Sequence, residues 1–205
     1  MIYNIKHQES YSRGELLLRT FFGWLYILIP HMFVLYFFAL ALGVLGMISF
    51  WVILFTGKTP EWYYNFALKT NRWSMRLSAR IFNLSDGYPA FGLDAVDENT
   101  QLDFPHIHIG RGQLLLRTFL GVFMLIPHIF VLYFRLIGSM LLYFLAWWVV
   151  LFTGNYPLSW HNFNVGTFRW STRISLWSAW LIADYPPFSG RPDIEPEDQL
   201  IDQVD

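Results

Sequence analysis

Cysteine is absent from all 205 residues. Disulfides, thiolate metal sites and cysteine nucleophiles are therefore excluded. Charge is also scarce, at 14% of residues, against about 25% in ordinary globular chains. Between Arg19 and Lys58 no acidic or basic side chain occurs except His31. The N-terminus, MIYNIKHQES, has no basic region leading into an apolar stretch with a small-residue cleavage site. No cleavable signal is expected, and the first hydrophobic segment is left to target the membrane. Serine–histidine–aspartate sets, phosphate-cradling glycine loops and paired catalytic carboxylates are not apparent, and no enzymatic activity is expected.

Apolar residues make up 55% of the chain, and they are gathered in long runs. The run from Leu16 to Gly57 is roughly twice the length of one membrane helix of about 20 residues. It is also written twice. Ile29–Phe37 (IPHMFVLYF) returns as Ile126–Phe134 (IPHIFVLYF), and LFTG at Leu54–Gly57 returns at Leu151–Gly154. Arg13–Gly23 matches Arg111–Gly121 at a shift of 98, and from Pro30 onward the shift is 97. One residue was gained or lost between. The expected organisation is an N-terminal segment (1–12), module one (13–91), an acidic linker (92–110), module two (111–188) and an acidic tail (189–205).

Each apolar run reads in two ways. It is an interfacial helix followed by one long span from Pro30, or a transmembrane hairpin turning near Phe37–Ala41. Arg135, Gly138 and Ser139 fall at the expected turn of the second copy, and Arg135 is costly at mid-bilayer. Two crossings per module also keep both cationic stretches in one compartment, as the positive-inside bias favours. The expectation is an all-α integral membrane protein of two parallel, pseudosymmetric modules. Each is a hairpin followed by an amphipathic helix, at about Glu61–Phe82 and Ser159–Ala183, with the termini cytoplasmic. In the hairpin, Pro30 and Pro127 kink the first helix and free the carbonyls of Tyr26 and Phe123.

On the first amphipathic helix, Lys69, Arg72, Arg76 and Arg80 form a stripe beside Trp62, Phe66, Trp73, Leu77 and Ile81. Arg169 and Arg173 repeat the frame RWSxR. Arginine beside tryptophan at an interface points to anionic lipid headgroups. The alternative is an orientation signal without lipid preference. Nucleic acid is not expected, because aliphatic residues flank the charges.

His31 and His128 follow Pro30 and Pro127. An intramembrane histidine at a kink suits a polar functional pocket, or a ring bonded to a carbonyl that its own proline frees. Ala39, Gly43 and Gly46 share a helix face in the first copy, and Leu136, Met140 and Tyr143 replace them in the second. His106, His108 and Asp103 have a spacing that ligates metal only by chance, so no metal or cofactor is expected. The acidic linker and tail are expected to be solvated and to dock a partner.

IPHxFVLYF, LFTGxxP, RWSxR and DYPPF resemble a bacterial membrane family catalogued only as a domain of unknown function. The resemblance covers nearly the whole chain. The second copy is nearer the pattern, with Asn155-Tyr-Pro157 and Asp184–Phe188. Copy one departs at Thr59 and at Ala90. The family implies the bacterial inner membrane and no assigned chemistry. The expected role is a non-enzymatic accessory or scaffold subunit that binds lipid and supports a larger membrane complex. The alternative is a small transporter or channel with its pathway near His31 and His128.

Overall fold

A computed structural model describes residues 1–193. Ser12 opens the first helix, its hydroxyl accepting the Glu15 N–H at 3.3 Å in a Ser-x-x-Glu start. α1 (Arg13–Gly23) passes through one π turn (Trp24–Leu28) into α2 (Ile29–Thr56), so 44 residues are helical without a break. α3 (Glu61–Ile81) follows. After a long connection, α4 (Arg111–Thr153) leads to α5 (Leu158–Ser178). Gly57 (φ 72°) ends α2 with its N–H on the Ile53 carbonyl, and Gly154 (φ 77°) ends α4 on Val150. This is why LFTG recurs: glycine takes the left-handed cap without steric cost. Pro60 and Pro157, both extended, then precede the next helices.

The chain is mostly helical, and α1–α2 and α4 are each long and apolar enough to cross a membrane. Two expectations are corrected. First, a small antiparallel sheet joins β1 (Ile2–Ile5) to β2 (Thr100–Asp103), with Ile2 opposite Asp103 and Ile5 opposite Thr100. Second, neither apolar run turns back. Arg135, Gly138 and Ser139 are not turn residues but the contacts of α4 with α5. Arg135 donates to Thr167 Oγ1 (3.0 Å) and the Phe163 carbonyl (3.2 Å), Ser139 bonds Asn164, and the Phe163 ring lies against Gly138. A charge satisfied by its neighbouring helix needs no turn to bring it to water. Helix also continues through Pro30 and Pro127. The π turn holds the one extra residue of the first copy, the usual way a helix absorbs an insertion.

The two long helices lie side by side and antiparallel. Arg13, at the start of α1, donates to the Phe152 carbonyl at the end of α4 (3.1 Å), and Arg111 donates to Phe55 at the end of α2 (2.6 Å). Trp147 bonds Thr20 between these ends (2.8 Å). α3 folds back along α2, with Tyr63 at Gly46, Phe66 on Phe38 and Trp73 on His31. α5 folds back along α4 in the same sense and meets α3 through Tyr63 to the Ala179 carbonyl (3.1 Å).

The layering is inverted relative to a water-soluble protein. Leu16, Arg19, Gly23, Ile27, His31, Leu35, Gly46, Ser49 and Ile53 form the buried stripe of the first long helix. Its exposed face is Leu, Phe, Trp, Ile and Met from Leu17 to Phe55, and that of α4 is the same from Leu115 to Phe152. In the most apolar window of each, only 17% and 11% is buried. α3, far more polar, is buried at ten of its 21 positions. The expected interfacial helices are thus an inner layer. Their flank carries β1, β2 and the connecting segments.

Candidate functional site

Each Pro-His site closes into an aromatic cluster built from its own half of the chain. The Trp73 indole donates to His31 Nδ1 at 2.8 Å. That places the proton of the neutral ring on Nε2, 3.1 Å from the Tyr88 hydroxyl, which in turn donates to the Tyr26 carbonyl at 3.3 Å. Tyr26 is the residue whose carbonyl Pro30 leaves free, so a tyrosine, not the histidine, satisfies it. Phe91 covers the ring, 4.9 Å away. At His128 the Trp170 indole donates at 3.0 Å, Tyr185 donates to the Met124 carbonyl at 2.6 Å, and Phe188 stacks flat on the imidazole at 3.8 Å. Here Nε2 is buried without a partner. Among the described residues, no hydrogen bond or ring contact joins His31 to the His128 cluster.

The arginines are placed differently from the expectation. Arg76 donates to the carbonyls of Ala90 (3.2 Å), Gly92 (2.5 Å) and Ala95 (2.7 Å). Arg80 forks onto Asp97 at 2.5 and 3.0 Å. Arg169 holds the Tyr3 and Gly190 carbonyls, and Arg173 holds Ser189, Arg191 and Asp193. All four are buried. Their donors face the chain's own loops, which corrects their reading as headgroup ligands. Lys69 and Arg72 remain partly exposed, paired with Asp94 (2.6 Å) and Asp103 (3.5 Å). Arg19 and Arg117, not among the expected site residues, clamp the far ends of the same loops through Ser85 (2.9 Å) and Ile182 (2.7 Å).

The acidic linker is correspondingly not free. Asp94, Asp97 and Asp103 are the counterions of the cationic stripe, and Phe104 and Ile109 are buried. Composition reads such a segment as solvated because its neutralising partners are far away in sequence. His106 is engaged by the Thr59 carbonyl at 2.9 Å. The start of the acidic tail, Ser189–Asp193, packs on α5, and residues 194–205 lie outside the described residues.

A third histidine links the N-terminal segment to both halves. His161 on α5 is buried, its Nε2 3.3 Å from the Leu84 carbonyl and its ring 5.0 Å from His7. Burial, reinforced by His7, pushes its pKa down to about 4. A histidine held neutral by folding contributes fully above its unfolded pKa of about 6.5, and that contribution falls as pH drops toward the folded value. The expected loss is up to ~3 kcal/mol. Thermal melting between these pH values should therefore fall steeply in the native protein and less steeply in His161→Gln.

A family model described as Domain of unknown function (DUF4389) matches residues 15–92. The residues from Glu15 to Gly92 carry a DUF4389 domain. It runs from the first turn of α1 to the glycine whose carbonyl Arg76 holds. His31, Trp73, Tyr88, Phe91 and both ends of the Arg19 clamp are thus inside the DUF4389 stretch, as are Arg76 and its acceptors Ala90 and Gly92, while its third acceptor, Ala95, lies just beyond. The match does not extend to residues 111–188, over which the sequence resemblance was also expected. Comparison with curated proteins and with solved structures gives no match.

Trp170, Tyr88, Tyr185, Phe91 and Phe188 were not among the expected site residues. The signal was present in their recurrence in RWSxR and Tyr-Pro-x-Phe at the same shift as the histidines.

Proposed function

We propose that the protein is a non-enzymatic membrane scaffold of two tandem DUF4389-like modules that lies in one leaflet, in the bacterial inner membrane, and supports a larger complex. The single observation carrying this is the inverted layering: an unbroken apolar face on both long helices beneath a polar layer that runs beside them. From Leu17 to Phe55 the face is about 57 Å long at ~1.5 Å per residue. The hydrocarbon core is only about 30 Å thick. An upright helix would leave nearly half of that face in water.

It would also bring charge to the wrong depth. Phe66 packs on Phe38, near the middle of the long helix, and the exposed Lys69–Asp94 pair lies one turn along. Upright, that pair would sit near the bilayer centre, at about 2.5–3.5 kcal/mol per charge. Lying flat, the pair stays in water while the Phe, Trp and Leu face enters lipid. Matched contacts at Arg19–Ser85 and Arg117–Ile182, and at Trp73–His31 and Trp170–His128, support the two-module reading. The transporter reading needs His31 and His128 on one hydrated path. Each ring instead packs among the aromatics of its own half.

The natural lack of cysteine makes the test clean. Lys58 and Asn155 are exposed and follow the ends of the antiparallel helices, so they mark opposite ends of the slab. In Lys58→Cys and Asn155→Cys, an impermeant maleimide should label both sites from the same side of sealed inverted vesicles. Labelling from opposite sides would mean that the helices cross, and the in-plane reading would fail.

A further inference from the structure

We propose that the cavity between the two halves on the Gly46 side binds one acyl chain of a membrane glycerolipid. The inference rests on the two-module, membrane-lying reading above. The cavity, about 660 Å³, lies between α2, α3, the start of α4 and the end of α5. That is within the ~300–1,000 Å³ of small-molecule sites. Gly43, Gly46, Met47, Trp51, Tyr63 and Trp180 are in its wall, and no Asp, Glu, Lys or Arg is among its lining residues. Met47 and Trp51 are exposed on the apolar face, so the cavity opens where lipid would be.

The repeat supplies the comparison that singles it out. At the step where the first copy has Gly46, the second has Tyr143. Where the second copy has Trp180, the first has Asn83. Asn83 Nδ2 donates to the Tyr143 hydroxyl at 3.1 Å, and that hydroxyl donates to the Ile81 carbonyl at 3.3 Å, so the tyrosine fills that side. The space remaining there, about 510 Å³, has Arg19 in its wall, which suits a hydrocarbon chain poorly. On the other side the bulk is gone and a donor is left over. Trp180 Nε1 is buried with no acceptor.

The backbone points the same way. Asn83 (φ 49°) and Trp180 (φ 58°) are the two non-glycine residues at positive φ among the described residues. Asparagine tolerates that conformation; tryptophan does so at a cost. A strained aromatic in the wall of an uncharged cavity that opens onto the apolar face suits a hydrocarbon chain.

The test uses the full chain in phosphatidylcholine vesicles doped with phosphatidylcholine bearing a mid-chain diazirine. Irradiation and peptide mapping locate the adducts. Adducts should concentrate on Met47, Phe50 and Trp180, above those at the open-face positions Phe33 and Phe130. In Gly46→Tyr the cavity adducts should drop by about tenfold, as when ~1.4 kcal/mol of binding is lost, with Phe33 and Phe130 unchanged. Gly43→Leu should do the same, and a β-carbon there meets nothing within 4 Å, so it keeps the test open if the first variant fails to fold. Equal labelling of cavity and open face, or cavity labelling indifferent to both variants, overturns the proposal. So does an unlabelled cavity beside a labelled open face, the pattern of a site kept for a partner's helix. Absence of adducts at Phe33 and Phe130 as well would instead overturn the membrane-lying reading beneath it.

Discussion

Asp97→Ala should cost about 3–5 kcal/mol of stability, the range for removing one partner of a buried ion pair. Asp97 and Arg80 are each about 5% exposed at the side chain, and both carboxylate oxygens are engaged. The same carboxylate accepts the Asn99 N–H and the Thr100 hydroxyl at 3.0 Å, so it also sets the turn into β2. Without it, a guanidinium stays buried with no counterion and the linker loses its anchor on α3. Chemical or thermal denaturation in detergent measures the loss. The double replacement Arg80→Met with Asp97→Leu should recover much of it, because the penalty is the stranded charge rather than the missing pair. Burial pushes the Asp97 carboxyl up, but Arg80 and the Asn99 and Thr100 bonds outweigh it and hold the group below the usual carboxylate range. Its contribution is therefore present above about pH 4 and is lost as pH falls through the lower folded value.

Gly190→Val should be as damaging, by a different route. A β-carbon at Gly190 would fall on the Gly166 carbonyl group of α5, 2.6 Å from its carbon and 2.8 Å from the Gly166 Cα. Backbone cannot move aside as a side-chain tip can, so the segment Ser189–Asp193 must lift from the helix. Arg169 then loses Gly190, and Arg173 loses Ser189, Arg191 and Asp193. Two buried guanidinium groups are left short of acceptors, at about 1–3 kcal/mol or more for each unmet site. A melting loss of at least ~3 kcal/mol is expected, with faster proteolysis between Tyr185 and Arg191. An unchanged melting curve would mean that the arginine clamps contribute little to holding this segment.

Much of the helix plan was legible. The two LFTG caps, the prolines that follow them and the Ser-x-x-Glu start are local devices, and each acted where it stood in the sequence. The one-residue change of shift between the matching segments falls where the π turn lies, but the sequence did not name that device. The hairpin was not legible as wrong, because Arg135, Gly138 and Ser139 look like a turn until Phe163, Asn164 and Thr167 are set opposite them. The arginine stripe misled for a related reason. Seven of the acceptors that take Arg76, Arg169 and Arg173 are backbone carbonyls, and a carbonyl has no letter in the sequence. Pairing of residues 2–5 with 100–103 likewise left no local mark.

From the sequence alone come the recurrence of IPHxFVLYF, LFTG and RWSxR, the length of each apolar run, the helix ends and the expectation of lipid, since each is encoded within a few neighbouring residues or by recurrence. Tertiary structure decided the rest: which face of each helix is turned inward, which cations are spent on the chain itself, and that one half is plugged by tyrosine while the other stays open. These depend on side chains meeting carbonyls and rings brought from tens of residues away. Hydropathy reports how apolar a surface is, but only packing settles which surface remains uncovered.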